Sequence, residues 1–227
     1  MSERKLSYGV RGGFVQRFTL FCCTLFLAGL LSIAAHAAST PRLVLMLGDS
    51  LTAGYGLPAG QSVPARLEAQ LKAKGYAVRV HNGGVSGDTS AQGRARLGWL
   101  LKSLGRTPDV VIVELGANDM LRGLPPKEAE THLNAIMQEL QKRKIKIILS
   151  GMLAAPNLGP AYAKEFNAIY PRLAKKYGAT LDPFYMQDIA AQPAFLLSDK
   201  IHPNAQGAEK IAKRLAPLVK KLLGPPK

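Results

Sequence analysis

Cysteine is scarce in this chain of 227 residues, which holds two, Cys22 and Cys23, side by side. That number excludes a disulfide framework and a multi-cysteine zinc site. Aromatic residues make up only 7%, with a single Trp. Together with the absence of any nucleic-acid-binding motif, this argues against a nucleic-acid partner. No internal repeat and no low-complexity linker interrupts the sequence, and its length suits one domain. Acidic residues are few, 15 against 30 Lys and Arg, for a formal net charge of +15. Such an excess could give weak contact with an anionic membrane surface. Lys142, Lys144, Lys175 and Lys176 are nonetheless spread over several segments, as solvated helix faces are.

What is present begins with a leader pattern. Arg4, Lys5, Arg11 and Arg17 make a basic start, an uncharged apolar run extends from Phe18 to Ala35, and Ala35-His36-Ala37 supplies small residues in an A-x-A arrangement. This is the shape of a secretory signal peptide. The reading therefore divides the chain into a signal peptide over residues 1–38 and one domain over 39–227, exported and periplasmic. An uncleaved anchor is the other reading, since 18 apolar residues could just span a bilayer. Both cysteines lie in this run. Setting aside residues 1–38, with four basic residues and one acid, leaves 26 Lys and Arg against 14 Asp and Glu, or +12.

Beyond the leader, short apolar runs alternate with helical patterns. The runs are Leu43–Leu47, Val78–His81, Val110–Leu115, Ile145–Ser150 and, more weakly, Thr180–Phe184. Helical periodicity covers Ser62–Lys74, Ser90–Leu104, Pro126–Lys144, Ala161–Tyr177 and Asn204–Leu222. Near-continuous hydrophobic runs are the mark of buried parallel strands. Strand–helix alternation of this regularity predicts an α/β fold, a three-layer α/β/α sandwich around a mainly five-stranded parallel sheet.

Chemistry in such sheets collects beyond the carboxyl ends of the strands. Three successive ends here are rich in glycine and small polar residues: Gly48-Asp49-Ser50-Leu51, Asn82 to Asp88, and Gly116-Ala117-Asn118-Asp119. Taken singly, Ser50 reads first as a turn or helix N-cap serine, and Gly87 and Asn118 as turn residues. A serine nucleophile needs a base. Of four histidines, His36 belongs to the leader and His132 to a solvated helical pattern, while His81 ends a strand. His202 follows Asp199 by three residues in a polar loop before the last helix, so one turn could aim both side chains alike. The carboxylate could then orient the imidazole for Ser50. Gly87 could bring a bare N–H, and Asn118 a side-chain amide, to a developing oxyanion.

These blocks, in order, resemble those of the SGNH (GDSL) hydrolases: Gly48-Asp49-Ser50-Leu51, Gly87, Gly116-Ala117-Asn118-Asp119 and Asp199-x-x-His202. Val85 to Ser90, Val113 to Gly116 and Ala168 to Pro171 resemble the periplasmic thioesterase I, arylesterase and lysophospholipase group within that family. The likeness runs from about Arg42 to Val219. The central block reads Gly-Ala-Asn-Asp where many members have Gly-Gly-Asn-Asp, which leaves the asparagine in place. The resemblance implies a flavodoxin-like fold and a serine hydrolase that cleaves esters and thioesters of small acyl substrates without metal or organic cofactor. It implies Ser50 as nucleophile, His202 as general base and Asp199 as its partner. It further implies an oxyanion hole of the Ser50 and Gly87 N–H groups and the Asn118 side chain. Met120, Leu121 and Leu124 would line an acyl groove, with Met152 and Leu153 on its opposite wall. Asp49, Asp88 and Asp119 would hold loops through nearby N–H groups.

Three other readings stand beside this one. An α/β-hydrolase elbow needs Gly-x-Ser-x-Gly, but Thr52 occupies the position two after Ser50. A carbohydrate acetyl-esterase shares the same four blocks, and an exported binding protein could retain them without turnover.

Overall fold

In the computed structural model the described residues are 1, 3 and 40–226. The bulk of the expected leader, with Cys22, Cys23 and His36, falls outside them. The described sheet has five strands: β1 (Arg42–Gly48), β2 (Val78–Gly84), β3 (Val110–Glu114), β4 (Lys146–Ser150) and β5 (Thr180–Asp182). All pairings are parallel and the order is β2-β1-β3-β4-β5. This flavodoxin-like order reverses direction between β1 and β3, and the crevice beyond that reversal is where open α/β sheets bind ligands.

The strand sequences explain their placement. Val44–Leu47 and Val110–Val113 are wholly buried, so the two central strands are covered on both faces. The edge strand β2 instead alternates, with Val78 and Val80 inward and Arg79 in solvent. Helices supply the cover. α1 (Ser50–Ala53), α2 (Val63–Ala73) and α3 (Ser90–Ser103) precede β3, and α4 (Ala117–Leu121) and α5 (Pro126–Lys142) precede β4. α6 (Gly159–Asn167) and α7 (Ile169–Tyr177) precede β5, and α8 (Ala205–Leu223) ends the fold. α2 packs on α8, while α5 packs on both α3 and α7. Leu133, Ile136, Met137 and Leu140 of α5 and Ile211, Leu215 and Val219 of α8 are fully buried, at the spacing that aligns one helix face.

Two features depart from the periodicity. The helix expected over Ala161–Tyr177 is two helices meeting at Ala168. Pro171 cannot donate to the Asn167 carbonyl and its ring crowds that position, which disfavours a continuous helix there. The strand ends after β1 and β3 lead directly into the short helices α1 and α4 rather than into open loops.

Two devices fix the segment between β5 and α8. Arg214 donates to Asp188 Oδ2 (2.6 Å) and the Tyr185 carbonyl (2.6 Å), and pairs with Asp182. Asn204 caps α8, its Oδ1 accepting from the Gln206 and Gly207 N–H groups, both at 3.0 Å. Between them the chain closes on itself through an antiparallel bridge, Leu196 to Pro203, and a hydrogen bond from Leu197 N–H to the His202 carbonyl at 2.8 Å. The His202 loop is thus held at both ends. Among the described residues, no helix is long and apolar enough to cross a membrane.

Candidate active site

The turn that leaves β1 is packed too closely for any side chain but hydrogen at position 48. A Cβ on Gly48 would stand 2.2 Å from Thr52 Oγ1 and 2.5 Å from Glu114 Oε2. Asp49 follows as the N-cap of α1, its Oδ1 accepting from Leu51 N–H at 3.0 Å. Ser50 is therefore the first residue of a helix, at the point where β1 and β3 diverge. Among the described residues its N–H has no acceptor, as the opening N–H groups of a helix have none within it.

His202 meets it from the far end of the sequence. Its Nε2 lies 2.9 Å from Ser50 Oγ, and its Nδ1 lies 2.7 Å from Asp199 Oδ2. Asp199 Oδ1 also accepts from the N–H groups of Ile201 (2.9 Å) and His202 (3.0 Å). Those two N–H groups, His202 first, and the imidazole hold the Asp199 carboxyl down at about 2. A carboxylate bound in this way stays charged at any ordinary pH and fixes the Nδ1–H tautomer, leaving Nε2 to accept from the Ser50 hydroxyl.

Gly87 and Asn118 flank the same place. Gly87 has φ +86°, the left-handed region that favours glycine, and among the described residues its N–H is without an acceptor. Its carbonyl accepts from Arg122 Nη2 at 2.7 Å. The Asn118 amide donates to Asp49 Oδ2 and to the Asp88 carbonyl, both at 3.0 Å. Arg96 braces this group from below, donating to Asp88 Oδ2 at 2.5 Å and to the Gly48 carbonyl at 2.9 Å.

A cavity of about 250 Å³ opens over these residues. Its lining includes Ser50, Gly87, Asn118 and His202 with the apolar side chains of Tyr55, Leu121 and Ile201. Of the five residues expected to line an acyl groove, Leu121 does so and is 57% exposed. The other four lie outside that lining. Met120 and Met152 are buried in the core. Successive residues of α4 point about 100° apart, which turns Met120 inward as Leu121 turns out. Past β4, Met152 is buried while Leu153 is exposed. Leu124 is half-buried, its carbonyl accepting from Tyr162 Oη at 2.8 Å, and neither it nor Leu153 lines this cavity.

The three loop aspartates divide their work differently from expectation. Asp49 and Asp119 do accept from backbone N–H groups, Asp119 Oδ2 from Ser90 at 2.7 Å. Asp88 instead takes the Arg96 guanidinium. His81 lies on β2 away from the cavity, and His132 is on the exposed face of α5 with Arg94 Nη1 3.4 Å from its Nδ1.

Sequence reasoning missed a buried acid beneath the site. Glu114 Oε2 accepts from Thr52 Oγ1 (2.8 Å) and from the Asp49 N–H (3.4 Å), while its Oε1 is buried without a partner. Burial, and then the neighbouring Asp49, push the Glu114 carboxyl well up, and burial holds Asp49 at about 6. Burial thus weighs on both carboxyls, and Asp49 keeps two donors, the Leu51 N–H and the Asn118 amide. An acid ending an otherwise apolar run, Val110 to Glu114, is the signal that could have found it. Among the described residues no cluster of three or more His, Cys, Asp or Glu could hold a metal ion.

Comparison with known proteins gives the family. The model of the GDSL-like Lipase/Acylhydrolase family matches residues 46–210. The chain is 42% identical over 194 residues to the Thioesterase 1/protease 1/lysophospholipase L1 of Escherichia coli K12, covering 84% of this chain and 89% of that protein. It is 38% identical over 180 residues to the arylesterase of Vibrio mimicus, covering 79% and 89%. Among solved structures, the SGNH-hydrolase family esterase AlinE4 superposes with a TM-score of 0.70 at 47% identity, over 83% of this chain and 100% of that one.

Proposed function

The chain belongs to the GDSL-like lipase/acylhydrolase family and is a serine esterase of SGNH type acting on small ester substrates; from that premise we propose that Ser50, His202 and Asp199 carry its reaction. The observation behind this assignment is the unbroken contact from Asp199 Oδ2 through both imidazole nitrogens to Ser50 Oγ, at the floor of a cavity with apolar walls.

The reaction divides into two halves. His202 Nε2 takes the Ser50 proton as Oγ attacks the carbonyl carbon, and the imidazolium returns that proton to the departing alcohol or thiol. Water then gives its proton to Nε2 and attacks the acyl-serine, and Ser50 recovers its hydrogen as the acid leaves. The tetrahedral oxyanion of both halves lies between the N–H groups of Ser50 and Gly87, with the Asn118 amide as third donor. That these two N–H groups have no acceptor among the described residues supports this, because such donors break no existing hydrogen bond as charge develops.

The favoured substrates are aryl esters, lysophospholipids and acyl thioesters with chains that lie along Leu121 and Ile201. The activities for which the relatives are named and these exposed apolar side chains support that choice. Export to the periplasm rests on the basic, apolar and small-residue pattern of residues 1–38, and weak contact with an anionic membrane surface on the +12 balance of the remainder.

A panel of p-nitrophenyl acetate, p-nitrophenyl decanoate, lysophosphatidylcholine, a medium-chain acyl-CoA and acetylated xylan, run with wild type and Ser50→Ala, tests the proposal. Turnover of the acyl substrates that disappears with Ser50→Ala supports it. Acetylated xylan as the preferred substrate would establish the carbohydrate esterase reading. Equal rates for the two proteins would remove Ser50 from the chemistry.

A further inference from the structure

Tyr55 has no part in the roles assigned so far, yet it touches both halves of the site. It lies two residues beyond α1, between Gly54 (φ +85°) and Gly56 (φ +73°), and these left-handed positions turn the chain back over the nucleophile. Its backbone N–H donates to the carbonyl of Ser50 itself, at 3.1 Å. Its ring leans on the His202 imidazole with centroids 4.5 Å apart and planes inclined by 37°. The segment is seated on the His202 loop from behind as well, for a Cβ on Gly56 would stand 2.7 Å from Leu197 Cδ1. Leu197 in turn donates its N–H to the His202 carbonyl. One short segment is therefore tied to the nucleophile by its backbone and to the base by its side chain.

Tyr55 is 54% exposed and part of the cavity wall. Burial does not account for its position, and among the described residues its hydroxyl has no hydrogen-bond partner. What the position does supply is an aromatic face against an imidazole that becomes charged in each half of the reaction. The negative face of an aromatic ring attracts a cation more than its neutral form.

We propose that Tyr55 is a positioning residue for the general base, its ring holding the imidazole plane in line with Ser50 and stabilising the imidazolium that forms in the transition state. The inference rests on the reading of Ser50 and His202 as the reacting pair. The titratable and charged groups that face the imidazole are Asp199 from its own loop, and Ser50, Asp49 and Tyr55 from the turn after β1. Of these, only Tyr55 acts through a ring face.

The test compares wild type, Tyr55→Phe and Tyr55→Leu by the pH dependence of kcat/KM for p-nitrophenyl butyrate. Fluorophosphonate labelling of Ser50 and a thermal melt are run on each protein. Tyr55→Leu keeps apolar bulk but removes the ring, and is expected to lower the plateau about threefold to tenfold. Its acid limb is expected to move to lower pH by about half a unit, since the charged imidazole loses a stabilising neighbour. Tyr55→Phe restores both the plateau and the limb, because the ring rather than the hydroxyl is responsible. A Tyr55→Leu limb that coincides with wild type, in folded protein labelled at Ser50, overturns the inference and leaves Tyr55 as cavity wall. Failure of Tyr55→Phe to restore activity overturns it as well. Wild type that does not label at Ser50 brings down the catalytic reading itself, a separate result.

Discussion

The side-chain amide of Asn118 donates to the Asp49 carboxylate at 3.0 Å, although the two residues close different strands, 69 positions apart. The same amide nitrogen donates to the Asp88 carbonyl. Both hydrogens are thus engaged in the resting enzyme, and one of them must be shared when an oxyanion forms. On the proposed assignment Asn118 does two jobs, holding Asp49 under α1 and offering a donor to the reaction. Replacement by Ala is expected to lower kcat for p-nitrophenyl butyrate by roughly 10²–10³-fold, with KM changed far less. A loss in KM with kcat intact would show that the amide serves binding rather than the transition state.

The Asp199 carboxylate gives a graded expectation. Asp199→Ala removes the group that selects the Nδ1–H tautomer, so kcat should fall by roughly 10²–10⁴-fold. Because its folded pKa, about 2, lies below the ordinary 3.8, Asp199 favours the fold above that ordinary value. This contribution disappears only as pH falls through 3.8 towards 2. Asp199 therefore stays charged across the acid limb of activity and does not supply it. A limb that vanished in a slowly active Asp199→Asn variant would contradict this.

Chain-length preference should respond at a single one of the expected groove positions. Leu121→Asp is expected to reduce the decanoate-to-acetate ratio of kcat/KM about tenfold, since a charge replaces apolar surface on the cavity wall. Leu153→Asp, outside that wall, should leave the ratio within twofold. The rates of the two variants on the two p-nitrophenyl esters decide the point.

Stability should fall as pH rises from about 4 to 7. Asp49 and Glu114 have folded pKa values above their ordinary ones. In that window the fold retains protons that the unfolded chain has released, so ionisation favours unfolding. Glu114→Gln keeps the shape and removes the titration of the more buried member. Urea melts across this range should show a shallower decline in the variant than in wild type. Parallel declines would place the proton elsewhere.

Much of the architecture was legible because its signals are local. Val110 to Val113 and Val44 to Leu47 read as strands from hydrophobic continuity alone, and the sheet buries them on both faces. Pro171 stood in the sequence as a warning against one helix over Ala161–Tyr177, but its effect depends on the Asn167 carbonyl it would crowd. Site geometry was legible to the extent that strand ends gather polar residues: Ser50, Gly87 and Asn118 fall at three ends, and His202 with Asp199 in the loop before α8. The cavity walls were less so. Met120 and Leu121 have the same hydrophobic character in the sequence, and only the start of α4 at Ala117 decides which of them turns inward. Tyr55 carried no spacing to notice, since its contact with His202 joins residues brought together solely by the sheet. The Gly54-Tyr55-Gly56 triplet, an aromatic between two glycines, is the trace it left.

Covalent trapping tests the central claim most directly. Folded protein is treated with a fluorophosphonate, its intact mass is measured and the modified peptide is sequenced. One adduct per chain is expected, on Ser50, with labelling lost in Ser50→Ala and strongly slowed in His202→Ala. An adduct on another residue, or labelling of Ser50→Ala at the wild-type rate, would contradict it.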